Sequence, residues 1–146
     1  MTEITVECKT NEEIQRGPFA LALILAPLTT GVPAVIIIAL ASLVPEQLYG
    51  IIIVAMFPAV ATVLGAPTYL LFGGIAFDRA LKNETSMPLA GFMANLVSLP
   101  VVIVIAALIN GLEGVIFALV FYGGLGSICA LIWGAIFESL YKRFTL

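Results

Sequence analysis

The chain has 146 residues, 62% of them hydrophobic and 10% charged, with a mean hydropathy of +1.17. A soluble domain carries about 25% charged residues, so this composition excludes a water-facing surface and implies a polytopic membrane protein. The net charge of −3 and the lack of a basic patch exclude nucleic acid as a partner.

Residues 1–17 read as an acidic cytoplasmic segment, in which Glu3, Glu7, Glu12 and Glu13 outnumber Lys9 and Arg16. A polar, acidic start is not the pattern of a secretory leader. Thr10-Asn11-Glu12-Glu13 matches a capping box and predicts a short interfacial helix that stops at Gly17-Pro18.

Residues 18–146 read as the transmembrane domain. Apolar runs over 18–44, 48–77, 87–109 and 115–137 each exceed the roughly 20 residues that cross a bilayer. The expected fold is all-α: four transmembrane helices in an up-down bundle. "VPEQLYG" parts the first two spans. "KNETSMP" parts the second and third, with Thr85 or Ser86 placed to cap a helix and Pro88 tolerated in its first turn. "NGLEG" is the third break, where Asn110 and Gly111 suit a helix end. Cys8 in the tail and Cys129 deep in the last run are too far apart for a disulfide to be expected.

Every basic residue falls on one side of this arrangement: Lys9, Arg16, Arg79, Lys82, Lys142 and Arg143. The opposite loops carry only Glu46 and Glu113. The bias predicts both termini in the cytoplasm, in a bacterial inner membrane. Asn83-Glu84-Thr85 matches a glycosylation sequon, but on the cytoplasmic side it would stay unmodified.

Ionisable residues at membrane depth mark proton relays and ion paths. None lies well inside these runs, which argues against proton-coupled transport. There is no His, no C-x-x-C pair and no base beside Ser98 or Ser127. Catalysis, a metal and a cofactor are therefore not expected. Uncharged polar residues remain: Thr29, Thr30, Thr62, Thr68, Tyr69, Asn95, Ser98, Tyr122 and Ser127. Asn95 should face the bundle or a partner, because a carboxamide facing lipid leaves several atoms unpaired. It reads either as an interhelical hydrogen bond or as the polar lining of a solute path. Proline recurs at Pro27, Pro33, Pro58, Pro67 and Pro100, and "PLTTGVP" gathers a kink, a glycine, Thr29 and Thr30. Gly126, Ala130 and Gly134 recur every fourth residue beside Gly123 and Ser127, a small-residue stripe that lets helix backbones approach.

"GGIAFDRALK" and "WGAIFESLYK" align as G-x-x-F-acid-x-x-x-K. The pattern sets Asp78 with Lys82, and Glu138 with Lys142, as i, i+4 pairs beside Arg79 and Arg143. All six read as topology anchors. At the same offset of 60, Gly31 falls on Gly91 and Ala34 on Ala94. The match is either an internal two-hairpin duplication or chance in an apolar alphabet.

The leading functional expectation is a non-enzymatic accessory or scaffold subunit, embedded in lipid and packed against other membrane subunits or copies of itself. The alternative is a small channel or carrier for a neutral or weakly polar solute. Replacing Lys82 and Lys142 together by Ala should disturb insertion or invert a fraction of the molecules. Labelling of single cysteines placed at the two membrane faces reads this out, and an unchanged orientation would remove the anchor assignment.

Overall fold

A computed structural model describes residues 15–43, 45 and 49–146. The acidic segment up to Ile14, with its capping box, and most of the first loop lie outside the described residues. No strand occurs among those described, and three helices are long and apolar enough to cross a membrane: Arg16–Ala39, Tyr49–Lys82 and Met87–Thr145.

These three divide into five segments. Helix α1 is Arg16–Ala39. Helix α2, Tyr49–Thr68, runs through a π-helical turn at Tyr69–Gly73 into α3, Gly74–Lys82. Helix α4, Met87–Phe117, runs through a longer π segment at Ala118–Leu125 into α5, Gly126–Thr145. Within α4 the helix breaks where the sequence suggested. Asn110 sits at φ −127°, ψ 16°, and Gly111 at φ 58°, ψ −138°. That second conformation is open to glycine and costly for any residue with a Cβ. Ser86 stands at the N-cap of α4 with Pro88 behind it, but its hydroxyl makes no capping bond.

Beyond Gly111 the chain folds back on itself. Gly134 lies against the Met87 and Pro88 backbone, Gly91 against Ala130, Gly126 against Asn95 and Gly123 against Leu99. One partner's number falls as the other's rises, so the two arms are antiparallel. In the first half of the chain Leu23 meets Gly74 and Gly31 meets Thr62, again in opposite order. The small-residue stripe on residues 123–134 is thus consumed inside the chain, against α4. At Gly91 a Cβ would stand 2.5 Å from the Ala130 carbonyl oxygen, and at Gly134 2.5 Å from that of Met87. Only hydrogen at those positions permits the approach.

The two hairpins meet at an aromatic cluster. Phe77 and Phe137 are fully buried and stack at 4.5 Å, and Phe19 meets Phe137 edge-on at 5.3 Å. Such ring pairs contribute about 0.5–1.5 kcal/mol beyond area burial. The repeated phenylalanines are therefore core residues where the hairpins join. Their neighbours do form i, i+4 ion pairs, Lys82 to Asp78 and Lys142 to Glu138, each at 2.7 Å and exposed. Exposed pairs of this kind contribute little stability.

Across the first hairpin Thr62 donates to the Pro27 carbonyl, to which Thr30 also donates within α1.

Gly91→Val should cost about 1–3 kcal/mol by forcing the two arms of the second hairpin apart. Gly124, which faces open space, should accept Ala with no loss. Reversible unfolding in mixed micelles compares the two.

Candidate functional site

Away from the aromatic cluster the two hairpins diverge and leave a cavity of about 400 Å³. One wall is α2, with Met56, Phe57, Val60 and Leu64. The opposite wall is the π segment, with Phe121 and Tyr122, and the floor is Gly91, Ala94, Gly126 and Ala130. Phe57, Val60, Phe117 and Phe121 line the cavity and are each exposed, so the cavity is partly open along α2 and the π segment.

Among the described residues the lining contains no Asp, Glu, Lys or Arg. Most of its polar side chains form one seam. Asn95 Nδ2 donates to the Tyr122 carbonyl at 3.2 Å and to Ser127 Oγ at 3.0 Å, and Ser127 Oγ donates to the Gly123 carbonyl. Ser98 Oγ lies 2.6 Å from the Tyr122 hydroxyl, which donates to Thr68 Oγ1 at 2.7 Å; Thr68 in turn donates to the Gly65 carbonyl. The hydroxyls of Ser98, Tyr122 and Thr68 form one chain whose two ends donate to the Asn95 and Gly65 carbonyls. The seam ties the α2 side to α4 and to the π segment.

Of the residues singled out in the sequence, Thr68, Tyr69, Asn95, Ser98, Tyr122, Gly126 and Ala130 line the cavity. Thr29 and Thr30 do not. Thr29 donates to the Ala26 carbonyl, and Thr30 accepts from Trp133 Nε1 at 2.9 Å. The Pro/Thr region of α1 is thus a packing element that seats the indole of α5. Gly123, Ser127 and Gly134 sit behind the wall, at the contact with α4. The anchors Asp78, Arg79, Lys82, Glu138, Lys142 and Arg143 lie at the ends of α3 and α5, outside the cavity. Among the described residues no group of His, Cys, Asp or Glu could hold a metal ion.

Two wall residues were not given a role by the sequence. Trp133, the only tryptophan, packs edge-on against Tyr69 at 5.1 Å. Tyr69 was one polar residue among nine, and nothing in spacing distinguishes it. No protein-family model, curated protein or solved structure matches the chain.

A lining without charge favours neutral ligands, because an unpaired ion at membrane depth is costly. A ligand held here would rest mainly on apolar side chains, with the seam, Tyr69, Cys129 and Trp133 as the polar groups of the described lining. Asn95→Leu should destabilise the second hairpin by about 1 kcal/mol, since it leaves the Tyr122 carbonyl without its carboxamide donor. Denaturation in detergent, compared with Thr29→Val at a site where the hydroxyl bonds only within its own helix, measures the difference.

Proposed function

We propose that the protein is a non-enzymatic four-span membrane protein that takes up a neutral, largely apolar molecule from the bilayer into the lateral cavity. The four spans are α1, the continuous α2–α3 helix, and the two arms of the third long helix on either side of Asn110–Gly111. The basic residues at the aromatic end of the bundle support a cytoplasmic placement of that end.

The observation that carries this reading is the cavity itself. Its described lining is uncharged, it is partly open along α2 and the π segment, and it has the volume of a small-molecule site, typically about 300–1,000 Å³. A partner's transmembrane helix fits poorly. At a diameter of about 10 Å, roughly one turn of helix would fill the space. The small-residue stripe, which had favoured an accessory subunit, is occupied by α4 of the same chain and no longer argues for a partner. Of a solute path through the Pro/Thr regions of the first two spans and Asn95, Thr68 and Asn95 line the cavity, whereas Thr29 and Thr30 do not.

Trp133 supplies the test. It is buried, lines the cavity and is the sole indole in the chain. In bilayers of phosphatidylcholine with dibrominated chains, Trp133 emission should be strongly quenched as chains enter the cavity. Val60→Phe, which narrows the mouth, should relieve much of that quenching. Weak quenching in the wild type, or no change on narrowing, would reject the reading.

A further inference from the structure

Tyr69 is 6% exposed, and its hydroxyl is a buried side-chain polar atom without a hydrogen-bond partner. Its ring is fixed edge-on by Phe77 at 5.6 Å and Trp133 at 5.1 Å. The residue lines the cavity, where Thr68, Ser98 and Tyr122 are committed to one another. A buried hydroxyl left unpaired is an exception that folded proteins rarely tolerate without a use. Apolar packing alone does not call for the oxygen, since Phe would fill the same position.

Resting on the cavity reading, we propose that Tyr69 is its specificity group, donating a hydrogen bond to one oxygen acceptor on the bound molecule. The depth of the residue narrows the ligand further. Tyr69 precedes Asp78, at the charged end of the helix, by nine residues, or about 13 Å along the axis. Half of a hydrocarbon core is about 15 Å. Tyr69 is therefore near the midplane, beyond the reach of the ester groups of resident phospholipids. The ligand is a molecule wholly dissolved in the hydrocarbon region, with a long apolar body and a single carbonyl-type oxygen. It is neutral, because the described wall holds no counter-charge.

The intact protein in dibrominated-chain nanodiscs, titrated with hexadecane and separately with 2-hexadecanone, tests this. Both probes should relieve the quenching of Trp133, the ketone at roughly three- to tenfold lower membrane concentration, the preference that one hydrogen bond supplies. Tyr69→Phe should abolish the preference and leave the alkane response unchanged. Equal potency of the two probes in the wild type, or a preference that survives Tyr69→Phe, overturns the assignment while leaving the cavity reading intact. Failure of both probes to relieve quenching overturns the cavity reading and this assignment with it. The melting temperature of unliganded Tyr69→Phe should equal or exceed that of the wild type. A lower value would mean that the hydroxyl is already paired, and would also overturn the proposal.

Discussion

Helices surrounded by lipid gain nothing from the hydrophobic effect when they associate, because acyl chains are as apolar as leucine. What binds them is close contact, and here that depends on glycines that admit another helix's backbone. The backbone of Gly91 lies on the Ala130 carbonyl and that of Gly134 on the Met87 carbonyl. This places the two arms of the second hairpin at the smallest separation side chains permit. The Phe77–Phe137 stack then joins α3 to α5, with Phe19 of α1 edge-on against Phe137. Phe57, Phe117 and Phe121 line the space between α2 and the second hairpin, and that space is the cavity.

The polar groups follow the same division. At the hairpin contacts every hydroxyl is spent on a backbone carbonyl or a neighbour, as hydrocarbon requires. Thr30 illustrates it: its oxygen donates to the Pro27 carbonyl and accepts from Trp133, which fixes the indole that forms part of the cavity wall. Tyr69 departs from this pattern, and it does so on the wall of the space that packing leaves open.

Much of the fold was legible because hydropathy reports directly on the bilayer. The uncharged runs marked the long helices, and Asn110-Gly111 marked the reversal because few other pairs end one helix and begin another so abruptly. The small-residue stripe was visible too, but its partner was not, since spacing reveals a surface and never what covers it. The repeated F-acid-x-x-x-K motif suggested helix ends. Its acids and lysines are at those ends, while its phenylalanines form the joint of the two hairpins, a distinction that depends on which face of the helix is buried. The cavity was illegible for a deeper reason: it is defined by where helices separate, and no local pattern encodes a gap.

Two of the helices that border the cavity, α2–α3 and the last arm, contain π-helical turns, whereas α1 does not. Such a turn holds one residue more than an α turn. Returning one to α geometry would swing every side chain beyond it by roughly 100° about the axis and shift it by about 1.5 Å. The exchange needs only a local change of hydrogen-bond partners, with no unfolding. These two borders of the cavity are thus built like threaded screws whose pitch can slip by a single residue, and each slip would present a different set of side chains to whatever lies between them.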